Sequence, residues 1–251
     1  SAGLASTGKK VFAVSPACFL TTRGYEQIKN DVAYSDRPVK VIGISAGVSY
    51  GALGSTHHSL HDYAALRAIN NIDIVAPADN FETREVIKAA VNYPRPIYIR
   101  FGKRPMYNLH QPDTVFEVGK AITLTDGSDV TIVATGEPAY QALMAGQALE
   151  KEGFSCRVIS MHTIKPLDKE TLLQAAGNTR AIITVEEHCV YGGLGSACAE
   201  VLMEAGVSVP FKIVGIPDEY TITGSQVDIF AHYGITPEGL ADTALKLLQS
   251  K

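Results

Sequence analysis

Short β-branched runs alternate with longer helical patterns along most of this chain, and that alternation limits the fold more than any other feature. "VKVIGI" (39–44), "IDIVAP" (72–77) and "PIYIRF" (96–101) are apolar on both faces. A strand with two apolar faces needs cover on both sides, which a parallel sheet flanked by helices provides. "NFETREVIKAAVNY" (80–93) reads as the helix between the last two strands. Asn80 is its expected cap, Glu82 and Glu85 suit its positive end, and Val86, Ala89 and Ala90 give an apolar face. An earlier helix is expected over 21–34. Crossovers of this kind are right-handed and leave any ligand crevice at the carboxyl ends of the strands.

The pattern stops at "GKRPMYNLHQPDTVFEVG" (102–119), which has two prolines and no sustained periodicity. This predicts a linker over 105–118 between a domain at 1–104 and a second at 119–251. The second domain resumes the alternation, with strands over 129–136, 155–161, 180–187 and 211–216. Helices are expected over 137–152 and near 168–176, 194–205 and 237–250. The fold class is therefore α/β, with two parallel-sheet domains. A chain of 251 residues, 46% hydrophobic, can bury two such cores.

The opening "SAGLASTGKKVFAV" reads as the tail of a helix, a break at Gly8 and a strand. The first domain is thus expected to be incomplete at its start. The net charge of −4 comes with no basic stripe, which argues against nucleic acid or an anionic membrane as partner. No apolar run reaches the ~18 residues of a membrane span. Cys18, Cys156, Cys189 and Cys198 form no C-x-x-C pair, so reduced, mostly buried thiols and a cytoplasmic location are expected.

"GALGSTHHSLHDYAALR" (51–67) holds three of the seven histidines. His57 and His61 are four apart, as in helical zinc sites, but no H-E-x-x-H is present. Ser59 and Asp62 make an S-x-x-D capping signal, so the helix is expected to begin near Leu60, leaving His57 and His58 in the turn. Gly51 and Gly54 let that turn approach a ligand. A neutral imidazole both donates and accepts, which suits proton relay near pH 7. On residue type alone, His57 serves equally well as a hydrogen bond within the turn. "YGGLGSA" (191–197) is a glycine-rich turn before a helix, but a lone G-G-x-G without the rest of a dinucleotide fingerprint fits tight strand-to-helix packing better.

Leu53-Gly54-Ser55-Thr56-His57, then Leu66-Arg67-Ala68-Ile69-Asn70-Asn71, then Pro77-Ala78-Asp79-Asn80-Phe81-Glu82 follow the pattern D-G-x-T-H, L-R-A-x-P-N, P-x-D-x-x-E, and this stretch resembles the transketolase family. "SAGLASTGKKVFAVSPACFLTTRGYEQI" (1–28) is similar to its A-A-G-L-A block, and "ITVEEHCVYGGLGSACAEVL" (183–202) to its carboxyl-terminal domain. The best match is the carboxyl-terminal section of a split transketolase, in which two polypeptides share one active unit. The resemblance implies a pyrimidine-binding-type domain, incomplete at its start, followed by a transketolase carboxyl-terminal domain.

It also implies thiamine diphosphate, with Mg²⁺ or Ca²⁺ bound by the partner subunit and no metal ligand in this chain. Ketol transfer from a phosphorylated or otherwise anionic ketose to an aldose is the implied reaction. By the same resemblance His57 is the proton-handling residue and Phe19 stacks on the aminopyrimidine ring. Arg100 or Arg104, with Lys103 between them, binds the substrate anion, as guanidinium geometry allows. His58 is a neighbour in the site. An α2β2 assembly with an amino-terminal subunit is expected.

The sequence departs from the family at several points. The glutamate that activates the aminopyrimidine lies just upstream of A-A-G-L-A, and this sequence begins there. Leu53 stands at the aspartate of D-G-x-T-H, Ser45 at the place of a substrate-contacting histidine, and Pro16 at an aromatic beside the pyrimidine site. Losing a polar partner for a donor hydroxyl changes donor choice. The expected donor is therefore a branched, deoxy or sulfonated relative of an ordinary pentose phosphate. Competing readings are a deoxyxylulose-phosphate synthase or 2-oxo-acid dehydrogenase beta subunit, and a non-catalytic subunit of the same fold.

Overall fold

A computed structural model describes residues 1–249 of the chain. The first half opens with a single turn, α1 (Ala2–Ala5), then β1 (Phe12–Pro16) and α2 (Ala17–Arg23). α3 (Tyr25–Gln27) runs into a π-helical turn (Ile28–Tyr34), followed by β2 (Lys40–Ile44) and a 3-10 turn (Gly51–Leu53). α4 (Asp62–Arg67), β3 (Asp73–Val75), α5 (Asn80–Asn92) and β4 (Ile97–Arg100) complete it. The second half comprises β5 (Ile122–Thr125), β6 (Val130–Ala134), α6 (Pro138–Lys151), β7 (Cys156–Ser160), β8 (Thr163–Lys165) and α7 (Lys169–Asn178). It continues through β9 (Ala181–Cys189), α8 (Leu194–Glu204), β10 (Phe211–Ile216), α9 (Gln226–His232) and α10 (Pro237–Gln249).

The expected α/β class holds. One sheet has the order β1-β2-β4-β3-β8 and the other β10-β9-β6-β7-β5. All neighbours pair in parallel except β8 on β3 and β5 on β7, which are antiparallel edges. Those two strands and α9 were not expected from the sequence. β8 belongs to the second half yet pairs with the first sheet, so the halves share backbone hydrogen bonds. Ile42, Ile97 and Ile99 pack under α5, while Val41, Ile74 and Tyr98 pack on the opposite face with Leu66 of α4. In the second sheet α6 and α10 cover one face and α7 and α8 the other.

Three local expectations are corrected. The helix expected over 21–34 begins at Ala17, breaks at Gly24 and ends as a π-helical turn. Asp79, not Asn80, caps α5, its side chain accepting from the Glu82 N–H. Ser59 caps nothing: its hydroxyl is buried without a partner, and α4 starts at Asp62. Asp62 looks like half of a capping pair but is turned inward, where Arg100 and Tyr98 donate to it.

The segment expected as a linker, 105–118, is bonded and packed to both halves. Leu109 N–H donates to Asp79 Oδ2 at 2.9 Å and His110 Nε2 to Glu82 Oε1 at 2.8 Å. Phe116 stacks on His162 at 4.4 Å. The four cysteines are free, three of them buried.

Candidate active site

Three neighbouring strands, β1, β2 and β4, end side by side in register, Pro16 beside Ile44 and Gly43 beside Arg100. The segments leaving these carboxyl ends form one shelf. After β1, α2 presents Phe19. After β2, the long loop presents Tyr50, Leu53 and His57. After β4 comes Lys103. The Phe19 and Tyr50 rings both meet His57 edge-on, at 5.4 and 5.7 Å between centroids. The Arg23 guanidinium lies 4.6 Å over the Phe19 ring and Lys103 Nζ 5.3 Å over Tyr50. The imidazole thus stands between two aromatic rings, each carrying a cation on its face. His57 Nδ1 is 2.9 Å from Thr56 Oγ1.

The backbone reason is a tight turn. The His57 and His58 N–H groups both donate to the Gly54 carbonyl, at 2.9 and 3.1 Å. Gly51 has φ +49°, a conformation costly for a residue with a β-carbon.

The other expected site residues separate clearly. Leu53 is 53% exposed on the shelf. Ser45 directly follows β2, buried and with φ +51°. Pro16 closes β1 and precedes α2. His58 does not sit in the site as expected: it is 1% exposed and hydrogen-bonded to Thr221 Oγ1 and the Gly51 carbonyl. Burial lowers its pKa, favouring the neutral ring.

Arg100, expected to bind substrate, is 5% exposed and fully engaged inside the protein. Its Nε donates to Asp62 Oδ2 at 2.9 Å and its Nη2 to the Glu187 and Ser59 carbonyls at 2.8 and 3.3 Å. Burial opposes its charge, but its neighbours, Asp62 above all, more than offset that and hold its pKa above the ordinary value. Arg104 lines a cavity of about 300 Å³ between the halves, beside Glu137, Tyr107 and Tyr140.

Arg100 lies within a buried polar layer that joins the halves. Glu187 Oε1 accepts from the Val48 N–H at 2.9 Å and from Gln226 Nε2 at 2.8 Å. The same Gln226 amide donates to Glu137 Oε2 at 2.7 Å. Burial, with Glu137 close by, pushes the Glu187 carboxyl well above the usual carboxylate range. Glu186 rises to about 7 on burial while accepting the Leu194 and Gly195 N–H groups at the start of α8. Burial takes His188, stacked on Tyr63 at 4.9 Å, down to about 4. "YGGLGSA" therefore packs a strand against a helix, and the first N–H groups of α8 are taken by a carboxylate of the chain itself.

Sequence reasoning missed Tyr50 as a site residue and gave no separate role to Lys103. The signal for Lys103 was its place just beyond β4; Tyr50 had none. The three consecutive ionisable residues Glu186-Glu187-His188, ending an otherwise apolar strand, were the visible sign of the buried layer.

The family model "Transketolase, pyrimidine binding domain" matches residues 1–107, and "Transketolase, C-terminal domain" matches residues 119–240. The chain belongs to the transketolase family. It is 49% identical over 250 residues to an apulose-4-phosphate transketolase subunit of Phocaeicola vulgatus, covering 99% of this chain and 80% of that one. It is 34% identical to the 6-deoxy-6-sulfo-D-fructose transketolase subunit SqwH of a Clostridium species, covering 100% and 78%. Among solved structures, a split-gene transketolase described as an inactive beta4 tetramer superposes with a TM-score of 0.88 at 37% identity, covering 98% and 78%. The chain is thus a subunit of a split, thiamine-dependent transferase of the transketolase type.

The residues at the shelf fit one half of that cofactor. Phe19, partly buried, carries Arg23 over one face and meets His57 edge-on, so a pyrimidine ring would use its other face. Among the described residues, no group of His, Cys, Asp or Glu could hold a metal ion, and no helix is long and apolar enough to cross a membrane.

Proposed function

We propose that this subunit supplies the pyrimidine-side wall, the proton-handling imidazole and the anion clamp for ketol transfer from an anionic, non-standard ketose to an aldose. The observation that carries this reading is the convergence of Phe19, Tyr50, His57 and Lys103 at the ends of three adjacent strands. Bound thiamine diphosphate supplies the electron sink for breaking a carbon–carbon bond beside a carbonyl. This chain's residues do the rest. Phe19 stacks on the aminopyrimidine ring. His57 Nδ1 is oriented by Thr56, and Nε2 exchanges protons with the donor and acceptor hydroxyls. Lys103, already beside Tyr50, attracts the phosphate or sulfonate end of the sugar. This cation role passes to Lys103 because Arg100 is internally engaged and Arg104 faces the cavity between the halves.

Leu53 and Ser45 border the donor. An exposed leucine cannot bond a sugar hydroxyl, which favours a branched, deoxy or sulfonated donor over an ordinary pentose phosphate. The substrates in the names of two relatives, apulose 4-phosphate and 6-deoxy-6-sulfo-D-fructose, are of that kind. The partner is an amino-terminal subunit carrying the diphosphate- and Mg²⁺- or Ca²⁺-binding domain, in an α2β2 assembly. Four free cysteines suit a cytoplasmic setting.

The test is reconstitution with that partner, thiamine diphosphate and Mg²⁺, followed by a donor panel. The expected outcome is faster transfer from a branched or sulfonated ketose than from xylulose 5-phosphate. Equal or faster turnover of xylulose 5-phosphate would refute the donor assignment. Decarboxylation of pyruvate would redirect it to a deoxyxylulose-phosphate synthase-like activity.

A further inference from the structure

The loop that presents His57 is not held by its own domain alone. Residues 221–225, between β10 and α9, lie against it. His58 Nδ1 is 2.6 Å from Thr221 Oγ1, and His58 Nε2 is 3.0 Å from the Gly51 carbonyl. Ser55 Oγ lies 3.0 Å from Thr221 Oγ1 and 3.3 Å from the Thr221 carbonyl. A β-carbon at Gly51 would meet the Gly224 carbonyl oxygen, and one at Gly54 would press on Thr223 Cγ2. The segment is itself fixed. Ser225 and Asp228 form a capping box on α9, and the Ile222 N–H donates to Tyr233 Oη at 3.4 Å.

These contacts assign the hydrogens by elimination. A carbonyl oxygen only accepts, so His58 Nε2 carries the hydrogen and donates to Gly51. Burial disfavours the doubly protonated ring, so Nδ1 is bare and accepts. Thr221 must then donate to Nδ1. Its hydrogen committed, the hydroxyl can only accept, and Ser55 gives its single hydrogen to Thr221, at the hydroxyl or at the carbonyl. The forced part of the chain runs one way, from the Thr221 hydroxyl to His58 to the Gly51 carbonyl. It closes residues 51–58 into a ring whose keystone lies in the carboxyl-terminal domain. His57 is inside that ring, and its N–H and that of His58 share the Gly54 carbonyl.

We propose that Thr221 is a positioning residue for His57, seating the loop through the Thr221 hydroxyl and the His58 ring. The carboxyl-terminal domain thereby takes part in catalysis without touching substrate. This rests on the proton-handling role proposed for His57. Thr221→Val removes the hydroxyl at nearly constant volume and Thr221→Ser restores it. Both are to be made in the full chain and assayed as the complex with the amino-terminal subunit, thiamine diphosphate and Mg²⁺.

Displacing a proton-handling group by about an ångström lowers turnover by roughly 10- to 100-fold. T221V should show that loss in kcat per assembled complex. The KM of the anionic donor should hold within about threefold, because the donor's charged end is bound elsewhere. T221S should recover most of the rate. A tautomer-sensitive ¹⁵N spectrum of the wild-type complex should show His58 as the Nε2–H form.

T221V with wild-type kcat, T221S as slow as T221V, or a loss explained wholly by less assembled complex would overturn the proposal. So would an Nδ1–H tautomer at His58, a readout that stands even where T221V fails to fold. A wild-type complex that transfers no ketol group would instead overturn the functional reading on which this one rests.

Discussion

The shelf at His57 and the buried layer at Arg100 are made of the same materials, imidazole, cation and aromatic ring, at neighbouring points of one sheet. They differ in commitment. Arg100 donates to a carboxylate and two carbonyls and is closed to solvent. Lys103, three residues on, is held, among the described residues, only over the face of Tyr50. His58 has a partner on each ring nitrogen, whereas His57 has Thr56 on one and aromatic edges around it. Buried polar groups fully paired within the protein fix a conformation. Groups left with spare bonding capacity at a surface are those that can meet a ligand.

Disturbing the buried layer should therefore change stability, and disturbing the shelf should change rate or affinity. The largest loss of stability is expected from Arg100→Met. It leaves the buried Asp62 carboxylate without its cation and the Glu187 and Ser59 carbonyls without a donor, and breaking a buried pair this way costs about 3–5 kcal/mol. Urea denaturation of the chain should show that loss. Wild-type stability for R100M would mean that Arg100 is not the structural cation described.

Glu187→Gln tests the same layer through pH. The native carboxyl binds its proton more tightly than the unfolded one. From the ordinary glutamate range up through the raised native value, the folded state holds more protons than the unfolded state, so stability falls as pH rises. One such proton corresponds to a slope of about 1.4 kcal/mol per pH unit. E187Q should remove that slope, so its stability relative to wild type grows with pH. Parallel curves would contradict the assignment.

On the shelf, Lys103→Met should raise the KM of an anionic donor roughly tenfold with kcat little changed, the pattern of lost ground-state binding. An unchanged KM in steady-state assays would remove Lys103 from the clamp. The smallest loss of stability is expected from Asp79→Ala, which loses the α5 cap; about 1–2 kcal/mol is expected in thermal or urea unfolding. The Leu109 N–H bond to the same carboxylate places it toward the upper end.

The strands that build the shelf were legible because a parallel sheet covered on both faces writes continuous β-branched runs. β5 and β8 were not, since three or four residues at a sheet edge are placed by antiparallel pairing with distant strands. Phe19 and His57 were legible through the family resemblance, and the structure places their rings together. Arg100 and His58 misled for one reason: side-chain chemistry says what a group can bind, and only tertiary packing says whether it is already bound. Asp62 misled in the same way, as a capping residue by spacing and an ion-pair partner by packing.

His57 next to His58 concentrates the whole distinction into two adjacent residues. In the reconstituted complex, His57→Asn should lower ketol transfer about 10²- to 10⁴-fold, the usual contribution of a positioned acid–base group. Its unfolding midpoint should stay near wild type, since the ring lies on the shelf rather than in the core. Retained transfer in H57N, or a loss of activity matched by a loss of folding stability, would contradict the account.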